Sequence, residues 1–240
     1  AGTIPSGLAK LLVLTELDLS QNQLEGPIPR ELCELVSVKI LRIEHNALTG
    51  TLPKELSNLS TLVELSLGGN NLTGSIPAGL GKLRHLEILN LKWNRLTGMI
   101  PAELGKLSLL RSLKLGFNRL EGEIPPELFR LRFLVAIHLC VNQLTGSIPT
   151  EVENMANLKW LDLRQNRLTG TIPPELRRMG CLEHLWLQGN QLSGGIPADL
   201  GELRHLQSLI LEGNKLVGVI PSALGGLSSL KQLDLSGNTL

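Results

Sequence analysis

The chain has 240 residues, 23 basic and 22 acidic side chains and a net charge of +1. So even a balance argues against a general nucleic-acid binder, and no apolar run approaches the roughly 18 residues that would let this segment insert directly into a membrane. Hydrophobic residues make up 42% of the sequence, yet with three Phe, three Trp and no Tyr the interior is expected to be aliphatic.

The first residues, Ala1-Gly2-Thr3-Ile4-Pro5, show neither the basic nor the apolar region of a signal peptide. From Ala1 onward a period of 24 fills the chain with ten units. A unit that small cannot bury its own core, so the expectation is one domain over residues 1–240, built as a repeat array. Counting from Ala1, position 2 is Gly and position 5 is Pro in all ten units. The Gly supplies backbone freedom, and the Pro, with fixed φ and no N–H, suits an extended segment at a turn or sheet edge. Positions 8, 11 and 14 are apolar at spacing three, which predicts a short 3-10 or helical turn. The stretch Leu14-x-x-Leu17-x-Leu19 then alternates, which predicts a short strand with Leu17 and Leu19 inward, recurring at Leu41, Leu65 and every 24th residue in one parallel sheet. Position 22 is Asn in every unit: Asn22, Asn46, Asn70, Asn94, Asn118, Asn142, Asn166, Asn190, Asn214 and Asn238. An amide column at the exit of the strand can satisfy turn backbone groups buried between units, so these ten residues are assigned a structural role. Position 24 is Leu throughout.

These residues resemble the leucine-rich repeat family. The stretch Leu86-Glu87-Ile88-Leu89-Asn90-Leu91-Lys92-Trp93-Asn94-Arg95-Leu96-Thr97-Gly98-Met99-Ile100-Pro101 is similar to its plant-type subclass, through Leu-Thr-Gly-x-Ile-Pro after the Asn. The resemblance implies an α/β-class leucine-rich repeat solenoid: a right-handed twisted superhelix with a parallel concave sheet, a second short strand near Gly-x-Ile-Pro, and 3-10 turns on the convex side. It also implies a recognition module rather than an enzyme, as in receptor-kinase ectodomains and polygalacturonase-inhibiting proteins. Two features depart from that pattern. No cysteine-paired cap is visible at either end, which fits an excerpt of a longer array, an uncapped protein, or ends that pack on something else. The Arg-x-Arg pair of several plant peptide receptors has no counterpart: the corresponding pairs read Lys114/Gly116, His138/Cys140 and Asp162/Arg164.

Cys33, Cys140 and Cys181 fall in units 2, 6 and 8. At one strand spacing per unit, roughly 4.8 Å, even the nearest pair exceeds the ~7 Å reach of a disulfide, so all three are expected as free thiols. The sequons at Asn58 and Asn71 are no more than composition would supply by chance.

Positions 15, 16, 18, 20 and 21 should face out of the concave sheet. All three Trp and Phe117 fall there, and exposed Trp is the residue most enriched in binding hot spots. The partner-binding set is therefore Trp93, Phe117, Lys92, Lys114, His138, Trp160, Asp162, Arg164, His184 and Trp186. Trp93 and Phe117 should form one aromatic cluster, and Trp160, His184 and Trp186 a second about 14 Å away. Lys92, Lys114, Arg111, Lys159 and Arg164 surround them, with Glu87 and Asp162 nearby.

The rival readings are bland shielding of the sheet by the rings, a Cys140–His138–Asp162 nucleophilic triad, and a metal site at His138, Asp162 and His184. The open face without a Gly-rich oxyanion loop argues against catalysis, and no His-x-x-x-His or Cys-x-x-Cys spacing supports a metal. Gly79-x-Gly81-Lys82 is the outer turn of the repeat rather than a phosphate loop, and pairs such as Glu103–Lys106 and Glu127–Arg130 form a solvated flank. The sequence thus points to a non-catalytic domain without cofactor or metal. It would bind a protein or peptide on its concave face, as part of a receptor-like or secreted protein at the cell surface or outside it. An inhibitor of a cell-wall-degrading enzyme, or a cytoplasmic scaffold, are the alternatives.

Overall fold

A computed structural model describes residues 2–240, apart from the side chains at 153 and 154; Ala1, which opens the repeat frame, lies outside the described residues. Each unit forms one coil. A three-residue strand recurs from Glu16–Asp18 in unit 1 to Gln232–Asp234 in unit 10, and the ten strands form one parallel sheet in sequence order. The register advances by one unit per strand: Leu17 pairs with Leu41, Leu41 with Leu65 and Leu209 with Leu233. Alternation along so short a strand sends positions 17 and 19 to one side, and from Leu41 to Leu211 these residues are almost completely buried.

On the opposite side each coil carries a five-residue 3-10 turn, from Ser6–Lys10 to Ser222–Gly226. The fixed Pro precedes it directly, with φ of −69° at Pro5 and −65° at Pro101, close to the value its ring imposes. The apolar residues at positions 8 and 11 close the turn through their backbones, as where Leu107 N–H donates to the Leu104 carbonyl at 3.1 Å. A second layer of short parallel strands includes Thr97–Met99, Arg119–Glu123 and Gln143–Thr145. The fixed Gly at position 2 falls in this layer at Gly26, Gly98, Gly122 and Gly194. From Gly26 to Gly218 it has φ between 74° and 94°, a left-handed conformation in which a Cβ is strained.

The Asn column stitches the coils together. Asn118 Nδ2 donates to the carbonyls of Leu115 (3.1 Å) and Gly116 (3.3 Å) in its own unit, and of Leu91 (3.0 Å) in the unit before. Its Oδ1 accepts the N–H of Leu96, the position-24 Leu of that preceding unit, at 3.0 Å. Asn70, Asn94 and Asn190 repeat the arrangement. Among the described residues, the Asn22 amide donates to the carbonyls of Leu19 and Ser20 in its own coil.

Two expectations need correction. The interior is not purely aliphatic, because Phe129 is fully buried. It occupies position 9, outside the seven apolar columns at positions 4, 8, 11, 14, 17, 19 and 24, where the 3-10 turn abuts the next coil. A Cβ at the same position in Gly81 would stand 2.2 Å from the Glu103 carbonyl oxygen; in unit 6 the coils leave room for a ring. The seven columns are also not buried throughout: Leu11, Ile220 and Leu233 are 47%, 56% and 46% exposed. Each coil is covered by its neighbours, and the terminal coils have only one.

Candidate functional site on the concave face

Because positions 17 and 19 turn inward, the residues at 16, 18, 20 and 21 leave the sheet on its open side. In units 4 to 8 they enclose a groove of about 350 Å³ lined by Lys92, Trp93, Lys114, Gly116, Phe117, His138, Cys140, Trp160, Asp162, Arg164 and Trp186. Every residue expected to bind a partner lines it except His184, which stacks behind Trp160. A larger hollow of about 740 Å³ near Thr51–Gly79 contains no aromatic ring.

The rings are ordered against one another. Trp93 and Phe117 stack with centroids 3.6 Å apart and planes 9° from parallel. Trp160 and His184 stack at 3.6 Å, and the Trp186 ring meets both edge-on at 5.6 Å. His138 lies 6.4 Å from Trp160. The two clusters expected as separate are therefore opposite ends of one groove. Trp186 is further fixed by its Nε1–H, which donates to Ser208 Oγ at 2.9 Å, while that hydroxyl donates to Gln232 Oε1 at 3.1 Å. Sequence reasoning passed over Ser208; the signal was its column, position 16 of the unit after Trp186.

The backbone under Trp93 and Phe117 carries a second signal. Position 21 has positive φ along the array: 56° at Trp93, 57° at Phe117 and 53° at Val141. Four units use Gly there (Gly69, Gly189, Gly213 and Gly237). Left-handed backbone costs a residue with a Cβ on the order of 1–2 kcal/mol, and bulky residues tolerate it least. Three consecutive units nevertheless carry Trp, Phe and Val, and strain of this kind clusters at functional sites. The column could have been read from its four glycines.

Charge within the groove is uneven. Asp162 is buried, and its carboxylate faces the backbone N–H of Arg164 at 3.3 Å, Arg164 Nε at 3.5 Å and His138 Nδ1 at 3.8 Å. The Arg164 guanidinium lies 5.0 Å from the centre of the Trp186 ring, within cation–π range. Lys92 and Lys114 have no carboxylate partner among the described residues. Arg111 and Lys159, expected among the cations around the rings, are instead paired with Glu87 (3.1 Å) and Glu183 (2.8 Å) at the rim. Desolvation lowers the pKa of His184, whose Nδ1 is buried without a hydrogen-bond partner among the described residues.

The Cys140–His138–Asp162 grouping does assemble, but its thiol is unsuited to attack. Burial, and then the Asp162 carboxylate, push the Cys140 pKa up to about 12, so the thiol stays protonated at neutral pH. Gly116 gives the thiol its space, since a Cβ there would stand 2.7 Å from Cys140 Sγ. Cys33, Cys140 and Cys181 are all free. Among the described residues, no group of three or more His, Cys, Asp or Glu side chains is placed to hold a metal ion, and no helix is long and apolar enough to cross a membrane.

The repeat sheet, its turns and its Asn column define a leucine-rich repeat solenoid. Family models described as leucine rich repeat match residues 13–35, 37–59, 60–120, 124–192 and 196–240, and the chain belongs to that family. Among similar solved structures is a plant peptide hormone receptor, RGFR1, in complex with RGF2, at 38% identity and a TM-score of 0.91; the match covers 99% of this chain and 42% of that one. The Arabidopsis receptor kinase HAESA, in complex with the peptide hormone IDA and the co-receptor SERK1, is 37% identical with a TM-score of 0.94, covering 99% and 40%. A TDR receptor is 36% identical with a TM-score of 0.96, covering 99% and 41%. The chain thus spans about two-fifths of the length of these receptor chains. No curated protein sequence matches it.

Proposed function

We propose that the chain is a non-catalytic recognition domain that binds a peptide or protein segment in the concave groove of units 4 to 8. The observation that carries this reading is the run of bulky residues on strained backbone at Trp93, Phe117 and Val141, beside a second ordered aromatic group. The fold tolerates Gly at this position, so stability does not account for the rings. Similarity to receptor ectodomains that hold peptide hormones supports the same reading, and favours the cell surface or the extracellular space over the cytoplasm. The protonated Cys140 thiol supports binding over covalent chemistry.

The composition provides a direct test. All three Trp line the groove and there is no Tyr, so intrinsic emission excited near 295 nm reports on the groove alone. Titration with the partner should give a saturable change in Trp emission, at the same midpoint as the heat of binding. Saturable heat with unchanged emission would move the partner off the groove.

A further inference from the structure

The outward columns of the concave sheet sort by charge along the array. In units 1 to 3, positions 16, 18, 20 and 21 hold Glu16, Asp18, Glu44 and Glu64 against a single cation, Arg42. Arg42 is already engaged by Glu16 at 3.0 Å and Glu64 at 2.5 Å, so this end remains acidic. In units 4 to 8 the balance reverses: Lys92, Lys114 and Arg164 stand against Asp162 alone. Units 9 and 10 return to acid with Glu212 and Asp234. At position 15, Lys39 and Lys231 reduce the acid excess of the two ends without reversing it, and Arg111 and Lys159 are paired with Glu87 and Glu183, so the order stands.

Such blocks act separately when their centres lie further apart than the screening length, about 8 Å at physiological ionic strength. From unit 2 to units 4 and 5, where Lys92 and Lys114 stand, the sheet advances two to three steps of ~4.8 Å, or roughly 12 Å, which an extended segment crosses in about four residues at ~3.3 Å each. The unpaired ammonium groups of Lys92 and Lys114 sit beside the Trp93–Phe117 stack, so acid and bulky apolar group are wanted at the same place on the partner.

Building on the groove as the partner site, we infer that the concave face selects one class of segment. It is an extended peptide carrying acidic residues next to an aromatic side chain, with basic residues about four positions away over units 1 to 3. Charge order along the segment, rather than its net charge, is what the face reads.

Synthetic 12-residue peptides test this by calorimetry and Trp emission. The first has two Lys at one end and Asp-Phe-Asp centred about four residues away, and is made in both chain directions. The second has the same composition in scrambled order, and the third replaces the two Asp by Lys. In the better direction the first should bind at least tenfold more tightly than either of the others, and the preference should shrink as salt is raised. Lys114→Glu should invert the ranking of the first and third peptides, with an unchanged melting curve showing that the fold is intact. Equal affinity for ordered and scrambled peptides, with Trp emission still responding, overturns the charge-order inference and leaves the groove reading standing. Failure of every peptide to alter Trp emission or release heat overturns both.

Discussion

Asn118→Leu destabilises the array by about 3 kcal/mol or more, although leucine is the more hydrophobic residue. The wild-type amide serves three carbonyls and one N–H, divided between units 4 and 5. Each polar group left unpaired away from water costs about 1–3 kcal/mol, and burying a leucine returns at most about 2 kcal/mol. The position is half-buried, so water can reach part of it, which keeps the expected loss at about 3 kcal/mol rather than at four full penalties. Because stability in a solenoid is shared between neighbouring coils, a weakened junction between units 4 and 5 should also broaden the transition. Urea unfolding followed by circular dichroism would show a lower midpoint and a shallower slope. An unchanged curve would mean that the Asn column is not what couples the coils.

The second large effect is on binding. Trp160→Ala combined with Trp186→Ala should weaken affinity for the partner by more than ~2 kcal/mol, about 30-fold, whereas Glu127→Ala on the solvated flank should leave it unchanged. Both rings are half-buried on the outward side of the sheet; neither belongs to the inward columns that hold the coils together. Their loss does remove the stack on His184 and the hydrogen bond to Ser208. Ring pairs of this kind contribute about 0.5–1.5 kcal/mol, so the melting temperature should fall modestly while affinity falls steeply. Equal affinities for the double variant and the flank control would contradict the assignment.

The architecture was legible in the sequence because a period-24 register leaves little freedom. Leu17, Leu41 and their successors alternate with outward residues, and a one-residue slip would expose the whole inward set. The Gly and Pro columns announced their conformations for the same reason: each is a residue whose backbone preference is nearly its whole content. The groove was legible only in part. Column positions placed Trp160 beside His184 and Trp93 beside Phe117, since register alone makes them neighbours. Register does not say how far long side chains reach, so the merging of two clusters into one groove and the pairing of Arg111 and Lys159 at the rim emerged only with the side chains in place. Phe129 was hidden for a related reason, because position 9 varies among Ala, Cys, Ser, Gly, Phe, Glu and Arg and so carries no apolar signal. The left-handed backbone at position 21 is signalled by its four glycines and masked by the bulk of Trp93, Phe117 and Val141.

That the partner lies in the groove is tested most directly by hydroxyl-radical footprinting of the complex, because the chain carries its own control. Trp93 is 51% exposed at the groove, and Phe133 is 50% exposed outside its lining. Both aromatic rings should be oxidised readily in the free protein. Binding should protect Trp93 and leave Phe133 as reactive as before. Protection of Phe133 with Trp93 still fully reactive would contradict the account.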